Sequence, residues 1–245
     1  MNPLTSPDSL ASTDAIDSDH PAVVAFARFH ARGATAREQA VALYRAVRDP
    51  LPYDPYRIDL TAHGMRASTA LQQGLGWCVP KAVVLAAVAR AAGIPARLGF
   101  SDVRNHLSTQ RLRDTMNTDV FAWHGYTELW LDGAWRKATP AFNVALCDKF
   151  GLLPLEFDGV HDSLDHPFDR SGQRHMEYVT ERGPFDDLPL AQIAAAFAEM
   201  YRGLLAGAAV AGDFTADAAW ETGPAPTTPR PANVQREPPG HWGAR

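Results

Sequence analysis

The stretch from about Val79 to Ala92 constrains this chain most. It is rich in Ala, Val and Leu around its whole circumference, carries Pro80 in its first turn and is closed by Gly93. Proline early and glycine just past the end are helix start and stop signals. A helix with no polar face has to lie inside a protein. Its uninterrupted apolar run, Ala82 to Ala89, is far shorter than the roughly 20 residues a bilayer-spanning helix needs, so no membrane partner is expected. The remainder of the 245 residues is therefore expected to wrap this helix in a single domain.

The wrapping elements follow from periodicity. Ala36 to Val47 has apolar residues at Val41, Leu43, Tyr44 and Val47, a helical spacing, and Asp49-Pro50-Leu51-Pro52 ends it. Ile94 to Phe100 predicts a short strand. Phe121 to Thr139 holds two alternating aromatic runs around Asp132-Gly133, the favoured pair for a two-residue hairpin. Leu190 to Leu205 carries Ile193, Phe197, Met200, Tyr201 and Leu204 on one helical face. The order predicts an α+β fold, with an antiparallel sheet packed on the buried central helix. The expected domain covers residues 21–210. Residues 1–20, rich in Ser, Thr, Asp and Pro, are expected to form a flexible leader, and 211–245 a Pro-rich disordered tail.

Charge and cysteine content exclude several function classes. With 23 basic and 28 acidic residues the net charge is −5, which gives no electrostatic case for nucleic-acid binding. Two cysteines support neither a disulfide framework nor a Cys-rich zinc site. The first residues show no basic segment followed by an apolar one, so a cytoplasmic protein with free thiols is expected.

One of those cysteines is well placed for chemistry. In Gly74-Leu75-Gly76-Trp77-Cys78-Val79-Pro80, Cys78 opens the buried helix, where unpaired N–H groups and the positive end of the helix dipole favour an anion. A thiolate is stabilised at such a position, and the thiolate is the attacking form. Gly76 lets the backbone approach a substrate, and Trp77 can form a wall. The competing reading is simple burial of a small apolar side chain. A thiol nucleophile needs a base. His124 is the histidine that lies in the strong strand, Phe121-Ala122-Trp123-His124-Gly125-Tyr126. If Asp132-Gly133 sets the hairpin register, Tyr126 faces Thr139 and His124 faces Ala141. Period two then puts Thr139 diagonally beside His124 on one face.

These residues resemble the transglutaminase-like superfamily, whose core is of the papain-like kind. The resemblance rests on Gly76-Trp77-Cys78 and on Arg90-Ala91-Ala92-Gly93-Ile94-Pro95-Ala96-Arg97. It continues through Trp123-His124, Glu128, Leu131-Asp132-Gly133 and Trp135, covering roughly residues 65–145. It implies acyl transfer on a peptide or small amide, with no cofactor. Cys78 would be the nucleophile and His124 the base and then the acid, with a thioester intermediate. Gly76, Trp77 and Trp123 would lie at the substrate and oxyanion side. The departure is Thr139-Pro140, where the family usually has Asp before Pro. A threonine hydroxyl can accept a hydrogen bond from the ring but cannot stabilise an imidazolium by charge. Three outcomes stay open: Thr139 orients His124 more weakly, another group such as Asn143 replaces it, or the protein is an inactive peptide-binding module.

From Glu156 to Tyr178 the chain is crowded with His161, Asp162, Asp165, His166, Asp169, His175 and Glu177. Their spacings match no zinc signature, so a long loop built on turn residues is expected, with Phe157, Phe168 and Tyr178 packing it onto the domain and lining the cleft. Cys147 is expected to be a buried structural thiol.

Overall fold

In the computed structural model, which describes residues 7–105, 108–164, 168–201, 210 and 212–222, the apolar helix sits where its composition requires. In chain order the helices are α1 (Pro21–His30), α2 (Ala36–Arg48), α3 (Ala67–Gln73), α4 (Cys78–Ala91), α5 (Gln110–Met116), α6 (Val144–Phe150), α7 (Leu190–Met200) and α8 (Phe214–Thr222). The strands are β1 (Ala96–Asn105), β2 (Val120–Leu131), β3 (Ala134–Ala138) and β4 (Met176–Phe185). Every residue of α4 from Cys78 to Arg90 is buried. Helices α1, α2 and α3 pack on it, and so do β1 and β2. The strands form one sheet in the order β3-β2-β1-β4, antiparallel throughout. The fold is α+β.

The two cationic residues of α4 act as clamps. Lys81 is 1% exposed, and its Nζ donates to the carbonyls of Arg48 (2.8 Å), Leu51 (2.6 Å) and Ala141 (2.8 Å). Those three acceptors satisfy the three donors of an ammonium and tie the segments after α2 and β3 to the start of α4. Burial pulls the Lys81 pKa down to about 7. At the other end of the helix, Arg90 donates to Ala96 O through Nε (3.0 Å) and Nη2 (2.8 Å) and to Ala11 O through Nη1 (2.5 Å). Arg97 pairs with buried Glu128 at 2.6 Å and lies 4.1 Å above the Trp135 ring. The motif residues Arg90, Arg97, Glu128 and Trp135 thus fasten β1 to α4 and to the hairpin.

The hairpin has the expected register, Leu131 opposite Ala134 and Trp130 opposite Trp135. Asp132 and Gly133 have φ of 50° and 86°, the left-handed pair that a type I′ turn requires. The ladder stops at Thr127–Ala138, one step before the expected Tyr126–Thr139 and His124–Ala141 pairings. There the chain turns to a new partner. Ala138 forms a parallel bridge with Ser163, and the Thr139 amide donates to Ser163 O at 2.9 Å.

Both ends depart from expectation. Residues 7–20 are docked rather than loose: Ile16 is fully buried, and Ala67 N–H donates to Ala15 O at 3.0 Å. Buried Ala15 and Ile16, the Ala67–Ala15 backbone bond and side-chain bonds such as Thr13 Oγ1 to Asp187 and Ser68 N–H to Asp17 hold this segment without any periodicity. Within the stretch expected as a tail, α8 forms and buries Phe214 and Ala218. Residues 223–245, which hold its prolines, lie outside the described residues.

Candidate active site

Cys78 is the first residue of α4, and the N-cap Trp77 makes no side-chain cap hydrogen bond. The first-turn amides of a helix have no intrahelical acceptor, an indole has no oxygen to offer them, and Pro80 has no N–H. The Lys81 amide closes the turn onto Trp77 O at 3.2 Å. The amides of Cys78 and Val79 are therefore the donors this turn presents. Gly76 is differently employed, its N–H donating to Pro52 O at 3.1 Å and its carbonyl accepting from Asp54 N–H at 3.2 Å. It positions Trp77 and Cys78 through this bridge.

The start of α4 is pressed against β2 beside His124. A Cβ on Gly125 would come 3.1 Å from Val79 Cα and 3.3 Å from Val79 Cγ2, so only glycine admits this approach without displacing the helix. Further along, Thr127 Oγ1 donates to Ala82 O at 2.9 Å. Helix and strand are thus locked together immediately after the two candidate residues. Cys78 is 6% and His124 4% exposed, and both line one pocket of about 370 Å³ including its mouth. The other walls are Trp77, Tyr53, Pro55 and Ile58 from the flanking loop, Leu112 and Met116 from α5, Phe121 and Ala122 from β2, and Phe197 and Tyr201 from the end of α7. No carboxylate and no Lys or Arg is among these walls.

A β-bulge directly precedes His124. Ser101 pairs with His124 and Val103 with Phe121, so Ala122 and Trp123 together oppose Asp102 alone. Trp123 is left-handed, with φ of 59°. Its ring packs on Phe100 (5.3 Å) and Phe185 (5.9 Å), away from the pocket walls, and its Nε1 is buried with no hydrogen bond among the described residues. The Ala122 amide donates to Tyr201 Oη at 2.6 Å, and the Trp123 amide to Asp102 Oδ1 at 3.0 Å. Tyr201 in turn donates to Val120 O at 2.8 Å. Arg182 of β4 grips the Asp102 carboxylate at 2.7 and 2.8 Å and lies 4.5 Å above the Trp123 ring. Burial pushes the Tyr201 phenol well above its ordinary range, with the Asp102 and Cys78 charges adding to the effect.

The position expected to orient His124 is differently arranged. Thr139 Oγ1 is buried and makes no hydrogen bond among the described residues. Its backbone, committed to Ser163, draws it off the hairpin ladder. Asn143 is also otherwise engaged, its Oδ1 accepting from the Tyr53 amide at 3.1 Å. None of the described residues of the polar segment after Glu156 lines the Cys78 pocket: Phe157 packs on Tyr44 at 5.4 Å, while Phe168 and Tyr178 are exposed. Asp165 and His166 lie outside the described residues. Among the described residues no cluster of His, Cys, Asp and Glu could hold a metal ion, and no helix is long and apolar enough to cross a membrane. Cys147 is buried, with Sγ 3.9 Å from Phe142 O.

A thiol at an uncapped helix start thus shares a pocket with a histidine on the strand beside it. Residues 25–140 match the Transglutaminase-like superfamily. The transglutaminase-like segment runs from α1 to the residue after Thr139, so it contains both candidate residues but not Arg182, Phe197 or Tyr201. Two solved structures are also similar. A putative cysteine protease from Cytophaga hutchinsonii is 15% identical, with a TM-score of 0.42, over 74% of this chain and 57% of that one. A putative protease from Parabacteroides distasonis is 16% identical, with a TM-score of 0.34, over 54% and 26% of the two chains. No curated protein matches. The transglutaminase-like match supports a cysteine-based acyl-transfer kind of function.

Sequence reasoning missed Tyr201, Phe197, Asp102, Arg182 and the α5 wall. Phe197 and Tyr201 were visible as one helical face, but nothing in that face says what it covers. Helix α5 is only seven residues long, too short to show a period. The bulge is hidden inside an alternating aromatic run.

Proposed function

We propose that this protein is a cysteine-dependent acyl-transfer enzyme acting on a peptide or small amide. The observation that carries the reading is the shared pocket of Cys78 and His124 at a helix start without a cap. His124 takes the Cys78 thiol proton, and the thiolate attacks the carbonyl carbon. The Cys78 and Val79 amides face the oxyanion that develops. Collapse breaks the C–N bond and leaves a thioester, while His124 returns its proton to the departing amine. Water, or a second amine, then attacks the thioester with His124 as base, releasing the acid or the new amide and restoring the thiol. The uncharged walls around the pair favour an apolar group next to the scissile carbonyl. Trp77 walls this pocket, and Thr139 contributes no hydrogen bond to it.

A second reading, an inactive peptide-binding module, is favoured by one observation: no carboxylate among the described residues lines the pocket, and the hydroxyl at position 139 bonds to nothing described. Trapping the acyl-enzyme separates the two. The protein is mixed with the p-nitrophenyl ester of N-blocked phenylalanine, quenched in acid and mapped by mass spectrometry. An acyl adduct on Cys78 that outpaces Cys147, is absent in Cys78→Ser and turns over with time supports the enzyme. Binding of a phenylalanine peptide with no adduct on Cys78 supports the module.

A further inference from the structure

The bulge before His124 is built from both sides by side chains that the acyl-transfer reading leaves without a role. A bulge takes a residue out of the ladder and re-aims its neighbours. Here the amides of both bulged residues are claimed, Ala122 by Tyr201 and Trp123 by Asp102, and Asp102 is itself held bidentately by Arg182. A non-glycine residue in the left-handed region is strained, so Trp123 at φ 59° is stable only where its surroundings hold it. Those surroundings are the Arg182 guanidinium on one face of its ring, Phe100 and Phe185 around it, and the Asp102 carboxylate on its amide. His124 is the next residue, and its register partner Ser101 directly precedes Asp102.

We infer that Asp102 and Tyr201 are positioning residues for His124: they hold the Ala122–Trp123 bulge, and through it the imidazole, in its place beside Cys78. The inference rests on the acyl-transfer reading. It makes the catalytic pair depend on chain outside the transglutaminase-like segment, since Arg182 comes from β4 and Tyr201 from the C-cap of α7. Asp102 is not among the residues that line the pocket. Tyr201 does line the pocket, so the test has to separate an action through His124 from a direct one on the thiol.

The experiment is a double-mutant cycle on full-length protein, reading the second-order rate of Cys78 alkylation by iodoacetamide at pH 7 with Cys147 as internal reference. The variants are Asp102→Ala, Asp102→Asn, Tyr201→Phe and His124→Ala, alone and with each of the first three combined with His124→Ala. Circular dichroism confirms that each is folded. Asp102→Ala and Tyr201→Phe are expected to slow Cys78 tenfold or more, and Asp102→Asn, which keeps an acceptor for the Trp123 amide, to recover most of the rate. Neither is expected to slow Cys78 further once His124 is alanine, because residues that act through one another are not additive. Single variants at the wild-type rate overturn the inference, and so does an equal loss in the His124→Ala background, which would mean a direct effect on Cys78 or a general loosening. A variant that does not fold leaves the other to decide. If wild type and His124→Ala react alike, it is the acyl-transfer reading that fails, and the inference falls with it.

Discussion

The two halves of the candidate site are held in opposite ways. Cys78 is fixed by regular structure: it begins a helix that is buried from Cys78 to Arg90, and Lys81, one turn on, binds three carbonyls from two other segments. His124 is fixed by an irregularity, a strained bulge whose freed amides are satisfied by side chains from β1 and from beyond α7. The proposed nucleophile therefore begins a helix buried along its length. The proposed base follows a bulge whose amides depend on a few polar contacts, from Asp102 and Tyr201. Damage on the two sides is expected to read out differently, as lost stability on the first and lost reactivity on the second.

The largest effect is expected from Lys81→Ala. It leaves three buried carbonyls without their donor, and at about 1–3 kcal/mol for an unsatisfied buried group the loss in urea denaturation is expected to exceed about 3 kcal/mol. A loss below about 1 kcal/mol would remove Lys81 as the clamp of the nucleophile side. Next comes Gly125→Ala, which strikes the seam between the halves. Its methyl meets the Val79 backbone at 3.1 Å, and overpacking of this kind costs about 1–3 kcal/mol. Both melting temperature and Cys78 alkylation are expected to fall, and a variant as stable and as reactive as wild type would show that the close approach is not needed. Tyr201→Phe keeps the ring on Phe197 and loses only the hydroxyl. Its stability cost is expected to be about 1 kcal/mol with Cys78 slowed tenfold or more, and a large loss of stability with reactivity unchanged would erase the contrast.

A further expected effect is one of pH. Burial holds the folded Lys81 pKa at about 7, below its unfolded value of about 10.4. Between those values the unfolded chain binds more protons than the folded one, so stability rises with pH from about 7 toward 10. The urea midpoint is expected to climb across that window in wild type, and the climb to be weaker in Lys81→Met. Equal slopes in the two proteins would contradict the assignment.

How much of this was legible in the sequence follows the same division. The central helix announced itself because an apolar circumference has only one place to go, and the hairpin register because Asp132-Gly133 fixes it locally. Cys78 and His124 could be picked out because each sits at a strong local signal, a helix start and an aromatic strand. The docked leader could not, since Ile16 and Ala15 are buried without any period to mark them. Strand β1 runs on through Ser101, Asp102, Arg104 and Asn105, polar residues that look like a loop until β2 and β4 supply ladder partners on both sides. The pairing at Thr139 was also out of reach: a bridge to Ser163, distant in sequence, ends the hairpin ladder one step short of the expected Tyr126–Thr139 pair. Tyr201 and Arg182 matter through contacts with residues some eighty positions earlier, and no local pattern carries such a pairing.

The central claim is that Cys78 and His124 work as a pair. The most direct measurement is the pH dependence of alkylation at Cys78 against Cys147 by mass spectrometry, in wild type and His124→Ala. The paired thiol is expected to react rapidly well below the ordinary thiol pKa of about 8.5, and His124→Ala to abolish that low-pH reactivity while leaving Cys147 unchanged. A Cys78 that is inert, or that follows an ordinary thiol profile in both proteins, would contradict the claim and leave the pocket as a binding site.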